Sequence, residues 1–126
     1  MDDIIRAALG HDQVIDITTT GRVTSEARRI EIFIHNLGGR LVISGMPMPG
    51  RTRAWLRNLE ADPALTIHLK GPYTEADVAA TARVITDPVE RRELLAGVAA
   101  NWKRTDLDVM IEHSPLIEVT VPGYPA

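Results

Sequence analysis

The sequence predicts a mainly β protein with inserted helices (α+β), built as an antiparallel barrel. Three observations lead there. Successive runs alternate with the period of a strand, clearest where Ile30, Ile32 and Ile34 are interleaved with Glu31, Phe33 and His35. A hairpin-type connection follows, Asn36-Leu37-Gly38-Gly39, whose paired glycines tolerate the positive φ of a tight turn. No glycine cluster forms the GxGxxG turn of a parallel dinucleotide-binding unit, so strands in series with few helices favour antiparallel pairing.

Taken in order, residues 3–9 read as a short helix with Ile4, Ile5, Ala8 and Leu9 on one side and Gly10 as its stop. From Gln13 the period becomes two, with Val14, Ile15 and Ile17 leading into threonines, and Gly21 permits a turn. After the isoleucine strand, whose second face is mixed and makes Phe33 a candidate dimer contact or ligand wall, residues 40–44 return as a third strand. The Pro- and Gly-rich stretch 45–50 is a loop. Residues 51–61 read as a helix with Trp55, Leu56 and Leu59 inward, stopped by Asp62-Pro63. Residues 65–70 and 75–85 are the fourth and fifth strands. Asp87-Pro88-Val89-Glu90 is a helix start, with Asp at the cap, Pro at N1 and Glu at N3; that helix runs to about Trp102. A shorter helix over 106–112 takes Thr105 as its cap, and residues 116–121 close the sheet.

The 126 residues suffice for one domain, with a helix over 1–12, the barrel over 13–121 and a tail over 122–126. Hydrophobic residues at 44% and charged residues at 25% match ordinary globular usage. A net charge of −3 argues against a nucleic-acid partner, which needs a broad excess of Lys and Arg. The absence of cysteine excludes disulfides, thiolate metal sites and a cysteine nucleophile. The opening Met1-Asp2-Asp3 is acidic where a signal peptide is basic, and no apolar run reaches the length of a membrane span, so the chain reads as cytoplasmic. A core poor in aromatic rings in so small a domain suggests a homodimer.

Against that acidic total, cations gather in two places. Residues 18–29 place four threonines, Gly21 and the arginines Arg22, Arg28 and Arg29 in one connector, and Arg51, Arg53 and Arg57 surround Trp55. Hydroxyls, backbone N–H groups and guanidinium forks together suit a phosphate-bearing ligand. Ser44-Gly45, at the end of the third strand, lets a flat ring approach the backbone. Among His11, His35, His68 and His113 none has HExxH spacing and no two fall close together with carboxylates, so no metal site is expected, and no serine sits in a GxSxG elbow. No catalytic side chain is assigned; Tyr73, Tyr124 and the histidines are the candidate proton donors.

These pieces resemble the deazaflavin-dependent nitroreductase family, split β-barrel oxidoreductases related to the pyridoxamine-phosphate-oxidase-like flavin proteins. The resemblance rests on Thr19-Thr20-Gly21-Arg22, on Arg28-Arg29 with the strand after them, on Ser44-Gly45, and on the WxxNLxxxP run from Trp55 to Pro63. It covers about residues 13–121. It implies hydride transfer from the reduced deazaflavin coenzyme F-420 to a quinone, enone or nitro acceptor, the coenzyme carrying a phosphodiester and an acidic tail. The residues it implies for the coenzyme are Thr20, Arg22, Thr24, Arg28, Ser44, Gly45, Arg51, Arg53, Ala54, Trp55 and Asn58. Val23 and Gly45 stand where relatives carry basic residues, and Arg51 or Arg53 is the replacement charge. Two alternatives stay open, an FMN-binding split-barrel oxidoreductase and a non-catalytic flavin- or deazaflavin-binding protein.

Overall fold

Six antiparallel strands close on one another in the order first, second, third, sixth, fifth, fourth, with the fourth returning to the first. A computed structural model of the chain describes residues 1–125; Ala126, the end of the expected tail, lies outside the described residues. The strands are β1 (Gln13–Thr20), β2 (Ala27–Leu37), β3 (Arg40–Ser44), β4 (Ala64–Lys70), β5 (Glu75–Val84) and β6 (Leu116–Thr120). The helices are α1 (Asp3–Leu9), α2 (Ala54–Ala61), α3 (Pro88–Trp102) and α4 (Leu107–His113). The antiparallel barrel with inserted helices is the predicted fold class.

Register follows from which side chains must be buried. Ile15 pairs with Ile32 and Ile17 with Ile30, so β1 and β2 turn their isoleucines to the same side, where Ile34, Ile43, Ile67 and Ile117 complete the barrel interior. A one-residue slip would exchange these side chains for Asp16, Thr18, Glu31 and Phe33, which fixes the pairing. A second apolar cluster lies outside the barrel. Val42 and Leu116 on the reverse face of β3 and β6 pack under Leu94, Leu95 and Val98 of α3 and Met110 of α4. The sheet is thus buried on both sides there, and His35, placed on the mixed face of β2 by its alternation, is fully buried beneath α3. Its ring lies 5.0 Å from that of Trp102, and its Nδ1 is 2.9 Å from Asn101 Nδ2.

The start of α3 is as expected: Asp87 Oδ2 accepts from the Glu90 N–H at 2.9 Å, a cap that contributes about 1 kcal/mol. Several boundaries differ. β2 begins at Ala27, so Arg28 and Arg29 stand on a strand and not in the connector, and it continues through Asn36 and Leu37, leaving Gly38 and Gly39 (φ 63° and 95°) as the turn. α2 begins at Ala54, not at 51, because Gly50 (φ 76°) breaks the chain direction and Arg53 at the cap position is extended. In α4 the cap position is Asp106, not Thr105, and it makes no capping bond because Arg104 Nε takes its carboxylate at 2.8 Å. The tail returns to α1: Arg6 Nη1 donates to Gly123 O at 3.0 Å, and Asn36 Nδ2 meets the Tyr124 hydroxyl at 2.6 Å. No helix among the described residues is long and apolar enough to cross a membrane.

Candidate functional site

The connector between β1 and β2 folds back on itself. Gly21 N–H donates to Glu26 O at 2.8 Å and Ser25 N–H to Gly21 O at 2.8 Å, with Ser25 at φ 61°. Gly21 has no room for a side chain, since a Cβ there would lie 3.0 Å from Glu26 O. This turn, the start of β2 and one side of α2 enclose a groove of about 280 Å³. Arg22, Val23, Thr24, Arg28 and Arg29 form the cationic side; Ile30, Ala54 and Trp55 form the apolar one.

Asn58 joins the two halves. It is 3% exposed, accepts at Oδ1 from both the backbone N–H and Nη1 of Arg22 (3.2 Å each), and donates from Nδ2 to Thr19 Oγ1 at 3.1 Å. The three guanidiniums differ in what they already hold. Arg29 Nε is bound to Asp16 Oδ2 at 2.9 Å, and Arg28 Nη1 to Glu26 Oε2 at 3.2 Å. Lys70 and Arg29 hold the Asp16 carboxyl below the usual carboxylate range, so Arg29 belongs to a paired surface network. Arg22 has no carboxylate partner among the described residues and is the cation of the groove that is free to take an incoming anion.

Of the residues predicted for the coenzyme, Arg22, Thr24, Arg28, Ala54, Trp55 and Asn58 line this one groove. Thr20 does not. Strand alternation turns Thr19 inward and into the groove, and Thr20 to the other face. Arg51 and Arg53 lie on the other side of α2, in a groove of about 160 Å³ with Leu56, Arg57, His113 and Ser114. Ser44 is buried, its Oγ donating to Pro115 O at 2.6 Å. Gly45 lies against Pro115 and Arg53, where a Cβ would be 3.0 Å from Pro115 Cγ. Thr19, Gly21, Val23, Arg29 and Ile30 also line the first groove; they are outside the set that the resemblance implies for the coenzyme, although Gly21 and Arg29 belong to the connector suited to a phosphate. The pairing of Thr19 with Arg28 and of Ile17 with Ile30 brings them to its mouth, a register that the sequence alone leaves open.

The sequence model of the F-420H(2)-dependent quinone reductase family matches residues 4–121. The chain belongs to that family. That family is described as one of F-420H(2)-dependent quinone reductases, oxidoreductases that depend on coenzyme F-420. No curated protein matches the chain. Among solved structures, an Agrobacterium tumefaciens protein of unknown function superposes with a TM-score of 0.73 at 16% identity, over 96% of this chain and 53% of that one. The chain therefore spans about half the length of that protein. An F-420 reductase superposes with a TM-score of 0.67 at 14% identity, over 94% and 93% of the two chains. A Listeria innocua protein named for pyridoxamine 5′-phosphate oxidase gives 0.64 at 13%, over 95% and 92%. At such identities the likeness is one of fold, and it places the barrel among the pyridoxamine-phosphate-oxidase-like folds.

Proposed function

We propose that the chain binds coenzyme F-420 with the anionic end of the coenzyme in the Arg22 groove, and that it reduces a quinone, with enones and nitro compounds as further acceptors of the same class. The observation that carries this reading is Arg22, a guanidinium without a carboxylate partner among the described residues, oriented by a buried asparagine at the mouth of a groove with one apolar wall.

The donor set fits the coenzyme's acidic part. Arg22 and Arg28 offer charge-assisted hydrogen bonds to phosphate or carboxylate oxygens, the Thr24 hydroxyl adds a neutral donor, and the Asn58 bonds fix the direction of Arg22 before a ligand arrives. Ile30 and Trp55 supply an apolar surface beside these cations, which suits the transition from an acidic tail to a flat ring. The bound coenzyme would supply the hydride. The chain's own residues bind its charged end, hold it in register along α2 and keep part of its length from water. An acidic protein that concentrates arginines at one mouth also draws a polyanion toward that mouth.

Fluorescence titration with F-420 and with FMN in matched salt tests the reading. F-420 should bind more tightly, with affinity falling as salt rises, and Arg22→Ala should weaken it by roughly 1.5–3 kcal/mol. Reduced F-420 should then be oxidised by menadione only in the presence of protein. Tighter binding of FMN, or an Arg22→Ala variant that binds F-420 like the parent in low salt, would overturn it.

A further inference from the structure

Two of the four methionines stand in the loop that joins β3 to α2, in the run Met46-Pro47-Met48-Pro49. The prolines lack N–H donors and keep this run out of a helix or a strand ladder, so its side chains project from an irregular backbone. Met46 is 47% and Met48 37% exposed, whereas Met110 is fully buried among Leu94, Leu95 and Val98. Each of the two loop thioethers meets a guanidinium. Met46 Sδ lies 3.2 Å from Arg104 Nη1, and Met48 Sδ 3.6 Å from Arg51 Nη1. The two arginines come from distant parts of the chain: Arg104 from the link between α3 and α4, where Asp106 holds its Nε at 2.8 Å, and Arg51 from just before α2. Arg53 Nη2 adds a bond to the Met46 carbonyl, which fixes the backbone between the two sulfurs' anchors.

A thioether is a weak acceptor, so the sulfur contacts contribute little as they stand. Oxidation reverses that. A sulfoxide oxygen is a strongly polar acceptor, and against a guanidinium it makes a charge-assisted hydrogen bond. The same pairing favours the oxidation step. When a hydroperoxide delivers its oxygen, a sulfur lone pair forms the S–O bond and the O–O bond breaks. The departing oxygen takes up negative charge, which a guanidinium beside the sulfur stabilises. The proton left on the delivered oxygen passes to the departing one. With hydrogen peroxide the products are sulfoxide and water, the sulfur being oxidised by two electrons and the peroxide reduced.

We propose that Met46 and Met48 form an oxidant-sensing modification site, in which hydroperoxides convert both thioethers to sulfoxides and Arg104 and Arg51 then bind the new oxygens. The modified loop is pinned at both sulfurs, and the Arg51 guanidinium is no longer free for another acceptor. Sulfoxide reductases, one for each epimer at sulfur, restore the thioethers. The modification stands on the loop alone. Its consequence for the coenzyme rests on the proposed F-420 reading, because the resemblance implies Arg51 as a coenzyme contact.

Treatment of the full-length protein with hydrogen peroxide, followed by peptide mass mapping and limited tryptic digestion, tests the site. Met46 and Met48 should each gain an oxygen several-fold faster than Met1, which is 43% exposed, and Met110 should gain none. Arg51→Gln should slow oxidation of Met48 and leave that of Met46 unchanged, a selectivity that exposure alone does not give. Trypsin should cut the oxidised protein after Arg51 several-fold more slowly than the parent, and the reductases should restore the parental rate. F-420 affinity should fall several-fold on oxidation of the parent and stay constant on oxidation of Met48→Leu. Oxidation of Met46 and Met48 no faster than of Met1, or cleavage of the oxidised loop at the parental rate or above, would overturn the site. A protected loop with unchanged F-420 affinity would overturn its coupling to the coenzyme. Failure of F-420 to bind either form would overturn the proposed coenzyme, and the peptide map and digestion would still decide the modification.

Discussion

Asn58 Oδ1 accepts two hydrogen bonds from one residue, the backbone N–H and the Nη1 of Arg22, both at 3.2 Å. A single buried side chain on α2 therefore sets both the path of the turn and the direction of its free cation, while Nδ2 ties the same helix to Thr19 of β1. Asn58→Ala should leave Thr19 Oγ1 and the Arg22 N–H without these partners and cost about 1–3 kcal/mol of stability. It should also weaken F-420 although Asn58 carries no charge, because Arg22 loses its orientation. Chemical denaturation and fluorescence titration of the one variant check both effects, and a loss of stability without a loss of affinity would mean that Asn58 does not position Arg22.

Arg91 is a structural counterpart of that arrangement. Its guanidinium donates to four backbone carbonyls, Ile85 O at 3.0 Å, Ile111 O at 2.9 Å, Ser114 O at 2.7 Å and Met110 O at 3.4 Å. Met110 and Ile111 lie in the last turn of α4, where Met110 O also accepts from the Ser114 N–H at 2.9 Å, and Arg91 caps that end from α3. Arg91→Lys keeps the charge but not the planar fork, and should destabilise by about 2 kcal/mol with a lower melting temperature. Equal melting temperatures for Arg91→Lys and the parent would show that the fork geometry is not what holds α4.

The strands and helices were legible because burial imposes their periods. The isoleucines of β1 and β2 occupy the inner face that their alternation assigns, and Asp87 caps α3 through the Glu90 N–H as its spacing requires. What the sequence could not give was pairing between distant segments. Whether Thr19 or Thr20 meets the groove depends on the register with Arg28. Whether Arg53 joins Arg22 depends on which side of α2 the 45–53 loop approaches, and Gly45 against Pro115 brings it to the far side. His35 read as part of a mixed face because the helix that buries it is more than fifty residues away in the chain.

Acid should destabilise the protein through His35. Asn101 Nδ2 donates to Nδ1, which leaves the proton on Nε2, and Nε2 is buried without a partner among the described residues. Burial pushes the His35 pKa below its usual 6.5, an effect that the nearby Asp12 carboxylate partly offsets. The unfolded chain therefore binds a proton that the folded chain refuses, and stability should fall as pH drops below about 6.5, levelling off below the folded pKa. Urea unfolding of the parent and of His35→Leu at several pH values checks this. The variant should show a shallower dependence between about pH 7 and pH 5, and parallel curves would exclude His35 as the cause.

A second acid limb arises on the barrel surface. Arg83 binds both Glu90 and Glu118 at 2.7 Å, and Arg40 Nε binds Glu118 at 2.6 Å. Arg83, with Arg40, lowers the Glu90 pKa from 4.5 to about 2, and Arg40, with Arg83, lowers that of Glu118. Both carboxyls have depressed folded values, so their stabilisation is present above about pH 4.5 and is lost toward pH 2. Arg83→Met should reduce the steepness of unfolding in that range and, because the pairs are partly exposed, high salt should reduce it in the parent. Identical acid unfolding profiles for the two proteins would show that the network is not coupled to folding.

Gly21→Ala tests the turn itself. Its φ is ordinary, so the substitution introduces no backbone strain; the obstacle is steric, with the new Cβ 3.0 Å from the Glu26 carbonyl oxygen and 3.3 Å from Thr24 Oγ1. A backbone oxygen held by the Gly21 N–H at 2.8 Å cannot rotate aside as a side chain would, so the turn must open. Opening moves Arg22 and Thr24, which flank the groove, while the barrel core at Ile15 and Ile17 is left in place. The expected result is a modest loss of stability, about 1–3 kcal/mol, with far-ultraviolet circular dichroism unchanged. F-420 affinity should fall by at least as much as in Arg22→Ala, since the displaced turn loses the Thr24 contact as well as the guanidinium. An alanine variant that binds the coenzyme like the parent would show that the coenzyme does not rest on this turn, and would move the search for its anionic end to the Arg51 and Arg53 side of α2.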